Sequence, residues 1–393
     1  MNIKIPDFSN TEIAFSTKTD AELNKMHWLF DKMNKPWLVK LGTQFGLFAI
    51  RFNFPFAQTI LKNTLFEQFC GGRTLLECMS NVDKLASKDI YTILDYGAEG
   101  KDTENDFNLT MNQVIRSIEF AAQQPYINLV SVKLTGLGRF GLLEKLHNKE
   151  VLDSKESEEY NNLVKRIDSI CYNAHNHSIG VFIDAEETWI QNPVDDIVDK
   201  MMARYNTQKP IVYNTFQMYR TASLSFLKAS HVKAKNEGYI LGAKLVRGAY
   251  MEKERKRAED LGYESPIHVS KEATDNDFNL GITYCIENIN EIGSCCASHN
   301  QQSNLLYAQL IDKNNIPGNH PHIMTSQLYG MSDHLTFNLA ESGIHASKFM
   351  PYGPVKDVMP YLMRRAQENT SVTGDMSREF DLIDQEVKRR KKN

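Results

Sequence analysis

Apolar and polar positions follow two rhythms along this chain. Up to about residue 90 the apolar side chains recur at helical spacing, as in Leu38, Leu41, Phe45, Leu47 and Phe48, and Gly71-Gly72 punctuates the stretch. Beyond it, short β-prone runs alternate with longer polar or helical segments. The runs are YTILDY (91–96), INLVSVKL (127–134), GVFIDAE (180–186), PIVYNTFQ (210–217), LGAKLVRG (241–248), SCCASHN (294–300), HIMTSQL (322–328) and ASKFMPYG (346–353). Strands alternating with helices predict a parallel sheet. Eight such units, at the usual size of about 250 residues, predict closure into a β/α barrel. An open doubly wound sheet is the alternative, and no GxGxxG follows an early strand to support it. The predicted organisation is an α/β chain with an N-terminal helical arm (1–88), a barrel (89–375) and a C-terminal helical, basic tail (376–393).

Composition narrows the class. Hydrophobic residues make up 41%, charged residues 24%, and the net charge is −4, as expected of a soluble globular protein without a nucleic-acid partner. The basic run Lys388 through Lys392 predicts a solvated, frayed terminus, with weak attraction to anionic lipid as the other reading. The six cysteines form no CxxC and no zinc spacing with histidine, which predicts reduced thiols in a cytoplasmic protein. The first fifteen residues lack a signal-peptide pattern and carry Asp7 and Glu12. The most apolar stretch, Phe45 to Ala57, is broken by Arg51 and Asn53, so no membrane span is expected.

In such a barrel the chemistry sits where strands end and βα loops begin. Lys133 closes the second run on the same face as Leu129 and Ser131. The third run ends in Asp184, Glu186 and Glu187, which suit catalysis, a metal or a helix N-terminus. Gln217 ends the fourth. Lys244 and Arg247 then precede Gly248-Ala249-Tyr250, small residues that let a flat or anionic ligand approach the backbone. Ser298-His299-Asn300 ends the sixth run. Each position has a bland alternative: a surface lysine, a helix cap, a packed histidine.

The segment YGPVKDVMPYLMRRAQENTS (352–371) carries the sharpest signal. Asp357 is expected to cap its helix. Tyr361, Arg364, Arg365 and Glu368 fall at i, i+3, i+4 and i+7, on one helical face. That face is either a solvated amphipathic surface or a carboxylate clamp of paired guanidinium groups, with Glu368 holding one arginine.

YLMRRAQEN resembles the signature helix of the proline dehydrogenases, and KLVRGAYMEKER (244–255) resembles that family's other hallmark. VKLTGLG, FIDAEET, YNTFQMY, ASHN and SQLYGM follow the same order, over about residues 90–375. The resemblance implies a distorted TIM-like (β/α)8 barrel holding non-covalent FAD, with the last helix over the barrel mouth. It implies that Arg364, Arg365 and Lys133 bind the carboxylate of L-proline. Tyr250, Leu328, Tyr352 and Tyr361 would pack its ring, and Asp184, with Lys133, would be a catalytic residue. Ile183, Gln217, Lys244, Arg247, Gly248, Ala249, Ser298 and His299 would contact FAD, with Thr274 and Asp275 near its adenosine end. Lys244 departs from the arginine that many members carry.

The implied reaction moves hydride from proline C5 to flavin N5 and yields 1-pyrroline-5-carboxylate. The implied partners are a quinone acceptor, met by peripheral contact at the inner face of the cell membrane, and a separate 1-pyrroline-5-carboxylate dehydrogenase. A Tyr352 phenol against the ring would favour proline over hydroxyproline. Three rival readings remain at this stage: a Schiff-base lyase using Lys133 or Lys244, a non-catalytic binding protein, and a metal-dependent hydrolase using Asp184, Glu186 and His299.

Overall fold

A computed structural model describes residues 3–35, 62–371 and 375–392, with side chains described from residue 64 in the second segment and none described at 360 or over 366–377. The helical spacing of Leu38 to Phe48, the stretch Phe45 to Ala57 and the side chain of Glu368 lie outside the described residues. Eight parallel strands close into a barrel in chain order. They are β1 (Tyr91–Tyr96), β2 (Ile127–Lys133), β3 (Gly180–Asp184), β4 (Val212–Gln217), β5 (Leu241–Val246), β6 (Ile292–Ala297), β7 (Ile323–Leu328) and β8 (Ala346–Tyr352). β8 pairs with β1 along its length, from Tyr91 opposite Ser347 to Tyr96 opposite Tyr352, and closes the ring.

The two-residue period of each strand sorts its side chains. Ile93, Leu129, Phe182, Tyr213, Cys295, Met324 and Phe349 point inward and fill the lower barrel. The alternate positions, such as Leu94, Val130, Val181, Ile183, Val212 and Leu245, join the layer beneath the surrounding helices. Each fully buried Val, Leu or Ile in that layer contributes about 1.5–3 kcal/mol. All six cysteines are free and buried. No helix among the described residues is long and apolar enough to cross a membrane.

A second apolar cluster lies apart from the barrel wall. It joins Phe15, Met26 and Phe30 of the arm, Val358, Tyr361 and Leu362 of the last barrel helix (Val355–Ser371), and Ile383 and Val387 of the C-terminal helix (Asp375–Lys392). The last barrel helix is therefore held from behind. It approaches β1 closely: a Cβ at Gly97 would meet Val358 Cγ1 at 2.5 Å.

Two expectations need correction here. The basic run is no frayed terminus. It ends a helix whose Glu386, fully buried, accepts hydrogen bonds from Arg389 and Arg390, while Arg390 reaches the carbonyls of Phe15 and Lys18 and the carboxylate of Asp20. A buried carboxylate and two arm carbonyls supply acceptors that a count of charges cannot show. Asp357, in turn, is no cap. The helix starts at Val355, and Asp357 sits in its first turn, donating its N–H to Pro354 and accepting from Lys101 Nζ at 3.0 Å.

Candidate active site

The upper barrel changes character within one strand repeat. Two residues above Ile93, Phe182 and the backbone of Gly242 stand Asp95, Asp184 and Lys244, and Lys133 joins them from β2. The register sets Lys133 of β2 opposite Asp184 of β3. Asp184 gives one oxygen to each lysine: Lys244 Nζ at 2.6 Å and Lys133 Nζ at 3.2 Å. Asp95 stands 3.6 Å from Lys133 Nζ. The Lys244 ammonium also lies 4.9 Å from the Phe182 ring centre and 4.7 Å from that of Phe349, a cation–π arrangement.

These contacts set the charges. Burial opposes ionisation of Asp184, but Lys244 and Lys133 outweigh it and hold its pKa below the ordinary carboxylate value. Burial likewise opposes the charge on Lys133, and Asp95 and Asp184 overcome it, so the ammonium is held well above its usual pKa. Asp95 goes the other way: burial pushes it up to about 6 against the pull of Lys133.

Over this cluster lies the last barrel helix. Arg364 forks onto Glu99 in the loop after β1, Nη1 to Oε1 at 2.6 Å and Nη2 to Oε2 at 2.8 Å. Its guanidinium carbon is also 5.8 Å from the Tyr250 ring centre. Arg365 lies 5.4 Å from the ring centre of Tyr361, which is itself buried. Beside Arg364 opens a cleft of about 690 Å³, lined by Glu99, Thr135, Glu186, Trp189, Tyr250 and Lys253 among others. Glu186 does not share Asp184's cluster. Its carboxylate accepts from the N–H and hydroxyl of Thr135, and burial raises its pKa to about 7.

The ends of β4 to β6 form a second set. Gln217 is buried and donates to the Glu186 carbonyl at 2.7 Å. Arg247 lies over the Phe278 ring and is fixed by Asp275 at 2.7 Å, Ser298 at 2.6 Å and Ser303 at 2.9 Å. Gly248 has φ +131°, and a Cβ there would meet the Tyr219 ring at 2.5 Å, so glycine is required. Ala249 follows, exposed, and leaves this backbone open. Thr274 is buried beside Asp275. Ile183 turns its side chain outward, while its carbonyl accepts from the Thr215 hydroxyl. His299 accepts the Leu328 N–H at Nε2 and contacts Ser332 at 2.8 Å through Nδ1; burial and then the Arg365 charge hold its pKa well below the usual value. A pre-set cation, hydroxyl and amide donors and an open backbone match the chemistry of an anionic, planar cofactor such as FAD.

One predicted residue stands elsewhere. Tyr352 points out of the barrel, and its hydroxyl meets Gln113 at 3.1 Å and Ser117 at 2.5 Å on helix Glu104–Ala121. It does not stand against the barrel interior. On β8 the inward ring is Phe349, three residues earlier and of opposite parity. Sequence reasoning also passed over Asp95 and Glu99, although Asp95 shares the inward parity of Ile93. Leu328, at the end of β7, does pack against the inner cluster.

A closed parallel barrel with its charged mouth under its own last helix defines the class. Within it, the chain belongs to the proline dehydrogenase family, whose model, described as proline dehydrogenase, matches residues 78–378. It is similar to a mitochondrial proline dehydrogenase 1 of Dictyostelium discoideum, 31% identical over 374 residues and covering 84% of this chain and 65% of that protein. It is also similar to a hydroxyproline dehydrogenase of Xenopus laevis, 30% identical over 366 residues, 84% of this chain and 78% of the relative. Among solved structures, proline utilization A from Bdellovibrio bacteriovorus shares the fold with a TM-score of 0.72 at 22% identity, covering 92% of this chain and 38% of that one.

Proposed function

We propose that this protein is an FAD-dependent dehydrogenase that oxidises L-proline to 1-pyrroline-5-carboxylate. FAD, when bound, supplies the hydride acceptor at its N5. Gln217, Lys244, Arg247, Gly248, Ala249, Ser298 and His299 would hold it, with the backbone at Ile183 nearby and Thr274 toward the adenosine end. Electrons would pass to a membrane quinone through peripheral contact, and a separate dehydrogenase would oxidise the product.

The observation that carries the reading is the Arg364 fork. Its two short bonds to Glu99 present the geometry a carboxylate demands. Arg365 is its neighbour on the helix, and Lys133 stands in the barrel below. Proline's carboxylate takes these three cations, with Tyr250, Tyr361 and Leu328 around the ring. Asp184 gives one oxygen to each lysine, which fixes their positions and keeps its carboxylate ionised beside the substrate. The ring stands beside Phe349 in place of the expected Tyr352, which removes the phenol as a barrier to a ring hydroxyl.

The first test is the visible spectrum of purified protein, which should show flavin bands that bleach on anaerobic addition of L-proline. A colourless protein that cannot be loaded with FAD ends the reading. Arg364→Met and Arg365→Met should each raise KM steeply, since an underpaired buried carboxylate costs about 2–5 kcal/mol. An unchanged KM in steady-state assays removes the clamp.

A further inference from the structure

We infer that Glu379, on the C-terminal helix outside the barrel, is a positioning residue for the cofactor pocket: through Ser332 it fixes His299 as the neutral Nδ1–H imidazole. The inference rests on the reading that His299 borders FAD.

The chain of contacts is short and buried. Glu379 is 3% exposed. Its two carboxylate oxygens accept the Ser332 N–H at 2.7 and 2.8 Å, and one lies 3.4 Å from the Ser332 hydroxyl. Ser332 has φ +53°, a left-handed conformation that residues with a Cβ seldom adopt. It stands at the start of helix Asp333–Glu341, where a carboxylate on a free N–H is also favoured by the helix dipole. Glu379 therefore holds Ser332 where it would not otherwise rest. That placement brings the hydroxyl 2.8 Å from His299 Nδ1.

The proton positions follow from donors and acceptors. The Leu328 N–H donates to His299 Nε2, so Nε2 carries a lone pair. Nδ1 then bears the proton and donates to Ser332 Oγ, whose own hydrogen turns to Glu379. Free histidine prefers the other tautomer, with the proton on Nε2. The ring is thus held in its less favoured form, by a residue eighty positions away in sequence. A ring so fixed presents a constant edge to the pocket, and a scrambled ring does not.

The test uses ¹⁵N-histidine-labelled full-length protein, with His299 assigned by its absence in His299→Gln. In the flavin-free protein, long-range ¹H–¹⁵N spectra should report the Nδ1–H form for His299. Ser332→Ala removes the acceptor of the Nδ1 proton and Glu379→Ala releases that acceptor. With only the long 3.4 Å Leu328 contact left to favour that form, the Nε2–H tautomer should become populated; Glu379→Gln, which keeps an acceptor for Ser332, should restore Nδ1–H. FAD affinity, read by flavin fluorescence, should weaken at least tenfold in Glu379→Ala and little in Glu379→Gln. If circular dichroism shows that Glu379→Ala does not fold, Ser332→Ala carries the test, since it removes only a hydroxyl. Wild-type protein with His299 in the Nε2–H form, or a folded Ser332→Ala that keeps Nδ1–H, overturns the inference. A wild-type protein that binds no FAD sinks the flavin assignment instead and leaves the tautomer result standing.

Discussion

Asp95 and Asp184 carry the same carboxyl group and differ in what surrounds it, and the pH dependence of stability should expose the difference. Folded, Asp95 keeps its proton to about pH 6, whereas its ordinary value is 3.8. The folded chain thus binds more protons across that window, and the contribution of this group falls as pH rises through it. Asp95→Asn cannot lose that proton. The stability of the variant minus that of wild type should therefore climb by roughly 1–3 kcal/mol between pH 4 and 6. Denaturant titrations at several pH values give the difference; a flat line would mean that Asp95 is already ionised at pH 4. Tyr352 offers a contrasting case. Its hydroxyl serves Gln113 and Ser117 on the outer helix. Tyr352→Phe should lower stability by about 1 kcal/mol and leave KM for proline unaltered. A severalfold rise in KM would return this side chain to the substrate pocket.

Elements were more legible than the contacts between them. All eight strands are visible in the sequence because each is an apolar run bounded by polar segments, and their predicted spans overlap the observed ones closely. The predicted span 180–186 overshoots β3, since beyond Asp184 the chain leaves the sheet and turns Glu186 back onto Thr135. Tyr352 is less legible than its neighbours: motif spacing brings it toward the substrate, whereas parity along β8 sends Ser347 and Phe349 inward and Tyr352 outward. Glu99 was missed because it lies in a loop, and only the folded chain brings it to Arg364. The C-terminal helix was hardest to read. Its basic end looks solvated until Glu386 is seen buried beneath it, also accepting from Thr11 at 2.9 Å. Glu386→Ala would remove the acceptor that Thr11, Arg389 and Arg390 share and leave Arg390 only its contacts to the arm, at a cost of about 1–3 kcal/mol. Thermal unfolding should show it, and a variant melting with wild type would restore the frayed-terminus view.

At the scale of the whole molecule, two apolar clusters divide the labour. One seals the barrel to its surrounding helices, and the other backs the helix that carries Arg364 and Arg365. The N-terminal arm is therefore a support for the site as well as a cover. Phe30 is fully buried in the second cluster, and Ile170 is fully buried in the first. Phe30→Ala should cost about 3–5 kcal/mol and Ile170→Ala about 2–5 kcal/mol, both through cavities that collapse only in part. Their effects on catalysis should separate. The hole behind the arginine helix lets it shift, and displacement of about 1 Å at a binding group is enough to lower activity sharply. Phe30→Ala should therefore raise KM for proline severalfold at temperatures where it remains folded, and Ile170→Ala should leave KM near the wild-type value. Equal changes in the two variants would show that the arm stabilises the fold without positioning the arginines.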